Sequence, residues 1–274
     1  MSTIVHRGDV DLYCKEWGKG RPLVLIHGWP LSADSWDDIA VPLANEGFRL
    51  IAYDRRGFGR SGQPWEGYDY DTLSDDLAFV LSTLQLTDVT LIGFSMGGGE
   101  IARYLTRHGI SKVRSVALIS SIVPYMMQDE SNPHGVPQEG FNQMRQGLTE
   151  DRPQFFTSFF KKFYGVDVLS TSVSDAWLAW TQSIAMQAGL QATLACLNSF
   201  ATTDFRPDLK AFELPTLIVH GTGDKTVPID ATARPSAKAI KGAQLIEYEG
   251  ASHGIFATHR KQLLEDLLKF CRTE

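Results

Sequence analysis

The stretch LIGFSMGGGE, residues 91–100, places a single serine among glycines directly after an apolar run. Glycine inside a helix costs about 1 kcal/mol relative to alanine, so three glycines in succession need a structural reason. The pentad from Gly93 to Gly97 has the spacing G-x-S-x-G, which is typical of a sharp turn between a strand and a helix. Such a turn strains the backbone of the serine and needs very small residues two positions before and after it.

Ser95 is therefore the first candidate functional residue. In a turn of this kind its hydroxyl is exposed at the N-terminus of the following helix. There the helix dipole and the free backbone N–H groups favour developing negative charge. The alternative is a glycine-rich structural turn in which the serine is incidental.

The segments around this turn alternate between apolar runs and helical patterns. Continuous apolar runs, typical of strands buried on both faces of a sheet, occur at 22–28, 49–54, 89–94, 113–121, 215–221 and 243–250. Helical patterns occupy 32–47, 69–86, 98–109, 229–241 and 258–272. Polarity alternates on both sides of Gly8-Asp9, which predicts an N-terminal β-hairpin. We predict an α/β fold with a mostly parallel, doubly wound sheet.

The alternation stops between residues 124 and 212, where the sequence is helical and aromatic. We interpret 124–212 as a helical cap inserted over one edge of the sheet, and 1–123 with 213–274 as the core. The aromatic residues of the cap are Phe155, Phe156, Phe159, Phe160, Phe163, Tyr164, Trp177 and Trp180.

A serine nucleophile needs a base, and the base needs an acid to orient it. His253 follows the last predicted strand in the segment GASHGIF, and Asp224 follows the strand before it in HGTGDKTVP. Both positions lie at the carboxyl ends of strands, on the same edge as Ser95. Asp230 is the nearest rival acid, but it falls in the first turn of a predicted helix, where an acid is stabilising anyway.

The other histidines downstream of Ser95 are less suitable bases. His220 lies inside a predicted strand, which favours a packed or hydrogen-bonded residue. The rest lie at a helix end, in the cap and on a helix: His108, His134 and His259.

An oxyanion needs two backbone N–H donors beside the nucleophile. One is Met96, the residue after Ser95. The other is expected from the loop HGWP, residues 27–30, and Trp29 is the simplest choice.

Charge and composition exclude several partners. A net charge of −6 without a basic block argues against nucleic acid. The apolar stretches are too short to span a bilayer, and we expect no signal peptide. Cys14, Cys196 and Cys271 are far apart and lack metal-ligand spacing, so we expect free thiols, no metal and a cytoplasmic location.

A second glycine pattern, Gly57-x-Gly59-x-x-Gly62, has the spacing of a dinucleotide-binding loop. Such a site needs a helix directly after the loop. Pro64 and Gly67 block that helix, so we expect no nucleotide cofactor.

Several motifs together resemble one family. LIHGWP (25–30), YDRRGFGRSGQP (53–64), LIGFSMGGGE, PTLIVHGTGDKTVP (215–228) and YEGASHGIF (248–256) look like an α/β-hydrolase. More narrowly, they are similar to bacterial arylesterases and cofactor-free (non-heme) haloperoxidases, also called perhydrolases. The resemblance covers nearly the full length, including the cap.

This resemblance implies Ser95, Asp224 and His253 as a catalytic triad, with Trp29 and Met96 as oxyanion donors. It also implies a small acyl pocket walled by Trp29, Ile122, Phe159 and Phe163, to which we add Pro30 and Ile255. One departure is Lys225-Thr226 after the acid, where glutamine and an apolar residue are more usual.

The function implied is cleavage of small-molecule esters through an acyl-enzyme, without a cofactor. Attack by hydrogen peroxide on the same intermediate would give a peracid, and Pro30 is similar to the perhydrolase branch, whereas leucine there is similar to the esterase branch. A γ-lactamase or a carbon–carbon bond hydrolase could use the same triad and remains an alternative. A non-enzymatic receptor or scaffold is least favoured, because no triad position is lost, and a homo-oligomer is left open.

Overall fold

The fold is built on one sheet of eight strands. The computed structural model describes residues 1–8, 10–167 and 172–273. The strands are β1 (Ser2–Arg7), β2 (Val10–Gly18), β3 (Arg21–Ile26), β4 (Phe48–Tyr53), β5 (Val89–Phe94), β6 (Val113–Ile119), β7 (Thr216–Gly221) and β8 (Gln244–Tyr248). Their order across the sheet is β1-β2-β4-β3-β5-β6-β7-β8.

The pairing is mostly parallel, as the alternating pattern predicts. Strands β1 and β2 form the predicted hairpin, β2 pairs antiparallel with β4, and the remaining neighbours are parallel. Asp9, in the predicted hairpin turn, lies outside the described residues. Strand β5 is central and buried along its whole length, which explains its continuous apolar run.

The helices follow the predicted segments with two corrections. They are α1 (Asp37–Asn45), α2 (Tyr70–Thr83), α3 (Met96–His108), α4 (Gln138–Glu150), α5 (Arg152–Tyr164), α6 (Asp175–Met186), α7 (Leu190–Thr202), α8 (Ala233–Ala239), α9 (Ile255–Thr258) and α10 (Arg260–Thr273), with 3-10 helices at Ala33–Trp36 and Pro207–Ala211. None of these helices has both the length and the apolar character that crossing a membrane requires.

The helix predicted over 229–241 is shorter than expected. Thr232 has φ −127° and ψ −81°, outside the helical region, and Ile240 is extended, so α8 spans only the residues between them. The helix predicted over 258–272 is preceded by the separate short helix α9, and α10 begins at Arg260.

The turn from β5 to α3 has the strained geometry that its glycines predict. Ser95 has a φ of +52° and a ψ of −117°, a backbone conformation that residues other than glycine rarely adopt. A Cβ on Gly93 would lie 2.8 Å from the carbonyl group of Gly97, and a Cβ on Gly97 would lie 2.4 Å from the carbonyl oxygen of Ile26. Only glycine therefore fits at either position.

Helices α4 to α7 all lie in the chain between β6 and β7, inside the interval 124–212 that we interpret as a cap. The Trp29 ring joins this helical layer to the sheet, because it contacts the rings of Phe155, Phe156 and Phe159 on α5 and of Phe200 on α7. The division into core and cap stays a prediction.

The three cysteines, Cys14, Cys196 and Cys271, are free and buried.

Gly97→Ala is expected to destabilise the protein by about 1–3 kcal/mol, since overpacking against an immobile group costs that much. The group that the new methyl would meet is backbone in β3, which cannot move without disturbing the centre of the sheet. Thermal unfolding followed by circular dichroism measures the effect.

Gly140→Ala in α4 is the matched control, because its added methyl would meet only a methyl group of Val136, at 3.2 Å. Alanine favours a helix by about 1 kcal/mol over glycine, so this variant should keep or gain stability. Equal melting temperatures for Gly97→Ala and the wild type would contradict the close approach described here.

Candidate active site

Ser95, His253 and Asp224 meet at the carboxyl edge of the sheet. Ser95 follows β5, Asp224 follows β7, and His253 follows β8. His253 Nε2 lies 3.0 Å from Ser95 Oγ, and His253 Nδ1 lies 2.6 Å from Asp224 Oδ2. This arrangement lets the imidazole accept the hydroxyl proton at one nitrogen while the carboxylate orients the other.

The His253 loop is held from two sides. The Phe94 and Phe163 rings pack against the imidazole, with centroids 5.0 and 4.7 Å away. The His253 carbonyl accepts a hydrogen bond from Ser120 Oγ at 3.1 Å, and the next N–H, on Gly254, donates to the Phe163 carbonyl at 3.0 Å. The imidazole therefore has little freedom to leave Ser95.

Asp224 is buried but richly hydrogen-bonded. Its Oδ1 accepts the backbone N–H groups of Thr226 and Val227, each at 2.8 Å. Burial alone would raise the pKa of this carboxyl, but the charge of His253 and hydrogen bonds from His220 and His253 outweigh it and lower the pKa well below its usual value. Asp224 thus stays ionised at neutral pH.

His220 is a second imidazole at this carboxylate, and the sequence analysis missed its contact. The strand position and the hydrogen bonding expected for His220 are confirmed, since it lies in β7 and its Nε2 donates to the Val227 carbonyl at 2.9 Å. The same nitrogen lies 3.2 Å from Asp224 Oδ2. The spacing of four residues between His220 and Asp224, across a strand end, was the available signal.

The rival residues lie elsewhere. Asp230 pairs with Arg234 at 2.8 Å, and His108 pairs with Asp75 at 2.8 Å. His134 is exposed, and His259 contacts the hydroxyl of Thr258 at 2.9 Å. None of these four has a hydrogen bond to Ser95 or His253 within the described ranges.

Trp29 and Met96 flank Ser95 as the two expected N–H donors. In the described part of the chain, neither backbone N–H donates a hydrogen bond to another protein group. Both residues line the cavity that contains Ser95 and His253. Their N–H groups are therefore free to bind an oxygen of a ligand, as an oxyanion site requires.

A second buried network, made of an ion pair and hydrogen bonds, holds the loop that carries Trp29. The sequence analysis did not predict it. Arg55 forms a buried ion pair with Glu100 on α3, and Glu100 accepts a hydrogen bond from the Tyr53 hydroxyl at 2.5 Å. Arg55 also donates to the His27 carbonyl at 2.6 Å. The sequence signal for this network was Glu100, which directly follows three glycines. A carboxylate buried at such a close contact between elements needs a cation or a hydrogen-bond donor as its partner.

His27 is neutral in this network. Burial and the nearby Arg55 charge hold the pKa of its imidazole well below the usual value. Its Nε2 accepts the Arg55 backbone N–H at 2.9 Å, and its Nδ1 lies 2.9 Å from the Gly28 carbonyl. The loop that carries Trp29 is thus fixed by hydrogen bonds on both ring nitrogens.

The cavity over Ser95 has a volume of about 400 Å³ and is mostly apolar. Of the six predicted pocket residues, Trp29, Ile122 and Phe159 line it, whereas Pro30, Phe163 and Ile255 are buried outside its lining. Although Phe163 lies one helical turn after Phe159, its ring packs against those of His253 and Phe94 and does not reach the cavity. Lys225 and Thr226, the departure from the family pattern noted in the sequence, also line it. Further lining residues that the sequence analysis missed are Met126, Val136, Gly140, Phe141, Gln143, Met144, Phe155, Ser158, Lys162, Phe200 and Val227.

Two other features of the sequence have structural outcomes. The loop with Gly57, Gly59 and Gly62 is followed by turns, and α2 begins only at Tyr70, so no helix opens there as a dinucleotide site would need. Over residues 1–8, 10–167 and 172–273, no three His, Cys, Asp or Glu side chains cluster as metal ligands.

A family model described as the alpha/beta hydrolase fold matches residues 21–260. The chain belongs to this family. The resemblance drawn from its motifs is therefore confirmed, and so is the fold class.

Several relatives within the family are enzymes. A non-heme chloroperoxidase of Kitasatospora aureofaciens is 44% identical over 272 residues, covering 98% of this chain and 99% of that protein. A bifunctional esterase/perhydrolase of Acinetobacter calcoaceticus is 38% identical over 278 residues, covering 100% of this chain and 100% of that protein.

A bromoperoxidase from Bacillus anthracis has a similar solved structure. Its TM-score is 0.96 at 39% identity, with 99% of this chain and 100% of that chain covered. The two chains therefore share one fold along almost their whole lengths. With relatives of these kinds, the chain is an enzyme of the hydrolase type.

His220→Ala is expected to slow covalent labelling of Ser95 by a fluorophosphonate about tenfold, since a hydrogen bond to a charged group contributes about 1.5–3 kcal/mol. The loss arises because Asp224 would keep one donor fewer and hold His253 less firmly. Mass spectrometry of the labelled protein over time gives the rate.

His220→Gln is the matched control, because its amide nitrogen has nearly the reach of Nε2 and can donate the same hydrogen bond. Its labelling rate should lie much closer to that of the wild type. Equal labelling rates for folded His220→Ala and the wild type would leave His220 with a packing role alone.

Proposed function

We propose that this α/β-hydrolase is a serine carboxylesterase of the arylesterase type, acting on small esters through an acyl-enzyme, with perhydrolase activity. The observation that carries the proposal is the hydrogen-bonded chain Asp224–His253–Ser95 at the base of an apolar cavity of about 400 Å³. A cavity of this size and polarity suits a small uncharged ester group.

Acylation uses each of these groups in turn. Ser95 Oγ attacks the ester carbonyl while His253 Nε2 takes its proton, and Asp224 stabilises the resulting imidazolium. The free N–H groups of Trp29 and Met96 bind the oxyanion. As the tetrahedral intermediate collapses, the bond to the leaving alcohol breaks and the alcohol takes the proton from His253.

Deacylation repeats these steps with a second nucleophile. Water loses a proton to His253, attacks the acyl carbonyl and releases the carboxylic acid, while the proton returns to Ser95. Hydrogen peroxide in place of water gives a peracid by the same proton transfers. The similarity to an esterase/perhydrolase at 38% identity supports both outcomes.

The aromatic lining supports aryl and other flat substrates. Five aromatic residues line the cavity: Trp29, Phe141, Phe155, Phe159 and Phe200. Such rings contact a flat aromatic group with favourable edge-to-face geometry. Phenyl esters are therefore the first substrates to test.

Ser95→Ala is expected to lower kcat for phenyl acetate by about 10³-fold or more, because losing a triad member removes the nucleophile and leaves only binding and the oxyanion site. The melting temperature should hardly change. A γ-lactam assayed beside the ester shows whether amides are also cleaved.

The control is Ser183→Ala, which removes an exposed hydroxyl on α6 that donates only to the Trp180 carbonyl. That variant should keep full activity. A Ser95→Ala protein that retains more than about a tenth of wild-type turnover would refute the proposed nucleophile.

Pro30→Leu is expected to lower the ratio of peracid to acid formed from one ester while ester cleavage survives. Proline restricts the Trp29 backbone to extended conformations and fixes where its carbonyl oxygen points. A carbonyl directed into the site can accept a hydrogen bond from hydrogen peroxide, which carries a proton at both ends, and water gains less from it.

Both products are measured from phenyl acetate at a fixed peroxide concentration. Pro30 is buried, so a matched Pro22→Leu variant in β3 tests whether any proline replacement has the same effect. An unchanged product ratio in Pro30→Leu would leave Pro30 as a turn residue only.

A further inference from the structure

The charge inside the cavity has one sign. Among the residues that the structure describes, the ionisable ones that line it apart from His253 are Lys162 and Lys225, and none of the described lining residues is a carboxylate. The chain as a whole carries a net charge of −6, so a cavity with only cationic side chains differs from the average surface. The two lysines come from different elements, α5 and the loop after β7.

Lys162 belongs to the face of α5 that covers the cavity. Phe155, Ser158, Phe159 and Lys162 line it at the spacing i, i+3, i+4 and i+7, which is one side of a helix. The apolar stem of a lysine can lie along such a face while its ammonium group stays in water. Lys162 therefore places a cation at the solvent side of an aromatic wall.

Lys225 and Thr226 line the cavity from the loop after β7. Lys225 follows the buried Asp224, and both Thr226 and Val227 line the cavity. Thr226 Oγ1 is buried and has no hydrogen-bond partner among the described residues. A buried hydroxyl without a partner is costly, and rotation of the Thr226 side chain about χ1 would let this hydroxyl donate to an acceptor oxygen on a ligand in the cavity.

Neither lysine is engaged elsewhere. Within the described ranges, Lys162 and Lys225 make no ion pair, whereas Lys15 pairs with both Asp34 and Asp37. Unpaired surface lysines are common, but these two share a substrate cavity with an unsatisfied hydroxyl. Together they offer two cations and a donor, with no acid to compete.

We propose that the preferred substrates are esters or lactones that carry a second, anionic group, a carboxylate, at the far end of a short apolar acyl chain. The proposal rests on the proposed esterase function. The reacting carbonyl lies at Ser95, the apolar segment lies against the aromatic wall, and the carboxylate lies between Lys162, Lys225 and the Thr226 hydroxyl.

Exposed lysines attract an anion only modestly, because water screens them. An exposed ion pair contributes about 0.2–1 kcal/mol, which corresponds to about a threefold preference for each lysine and about tenfold for both. This preference must weaken with salt, since the Debye length falls from about 20–30 Å at low salt to a few ångströms near 1 M.

The test compares monomethyl esters of succinic, glutaric and adipic acids with the methyl esters of the matching ω-amides. Each amide has the shape of its acid and lacks the charge. The measured quantity is the ratio of kcat/KM for acid over amide, from methanol release at pH 7.5, well above the ordinary pKa of the carboxylic acid of the substrate. The chain length with the highest ratio reports the distance from Ser95 to the cations.

In the wild type we expect a ratio of about ten at low salt, falling towards one at about 0.5 M salt. Lys162→Gln and Lys225→Gln should each reduce the ratio about threefold, and the double variant should abolish both the preference and its salt dependence. Thr226→Val, which keeps the shape and removes the hydroxyl, should also reduce it.

Lys161→Gln is the matched control. It removes the same charge from the neighbouring position of α5, on a side of the helix that does not line this cavity. Its ratio should equal that of the wild type.

A wild-type ratio near one would overturn the proposal, and so would a preference that survives in the double variant or is lost equally in Lys161→Gln. Phenyl acetate separates this failure from failure of the proposed esterase function. Cleavage of phenyl acetate that depends on Ser95 keeps the esterase while rejecting the anionic substrate, whereas no cleavage of any ester rejects both.

Discussion

The close approach of α3 to β3 is the constraint on which the site depends. The chain turns from strand to helix at Ser95, and Gly97 passes so near the Ile26 carbonyl that a single methyl group would collide with it. This approach brings the Ser95 hydroxyl to the edge of the sheet, and the Met96 N–H has no hydrogen-bond acceptor among the described residues. A strained residue persists only where its surroundings over-determine it, and here a buried central strand supplies them.

Two buried polar networks extend from that turn in opposite directions. On one side Asp224 collects hydrogen bonds from two backbone N–H groups and two imidazoles, so the carboxylate, rather than His253 alone, is rigidly placed. On the other side Arg55 and Glu100 fix the loop that carries Trp29. Groups held in this way need little reorganisation when charge develops, which is the main source of electrostatic stabilisation in enzymes.

The substrate selectivity that we propose depends on the helices between β6 and β7. Trp29 touches four phenylalanine rings of α5 and α7, so the floor of the cavity and its roof share one aromatic cluster. The same helices bring Lys162 to the cavity, and the loop after β7 brings Lys225. Under this proposal, residues far apart in the chain together give the hydrolytic site its chemical preference.

The sheet, its alternation with helices and the meeting of Ser95, Asp224 and His253 at its carboxyl edge follow from the sequence alone. These follow from local rules: glycine spacing at a sharp turn, buried apolar runs, and polar residues at strand ends. The sequence pattern did not predict that α8 is shorter than 229–241. The helix is shorter because Thr232 and Ile240 have non-helical backbone conformations despite the helical pattern. Nor did the sequence pattern place His220 at Asp224, or Phe159 rather than Phe163 on the cavity, because those outcomes depend on how one element is rotated against another. Sequence patterns set which faces are apolar, whereas only the packed structure decides which apolar residue covers the core and which one faces the ligand.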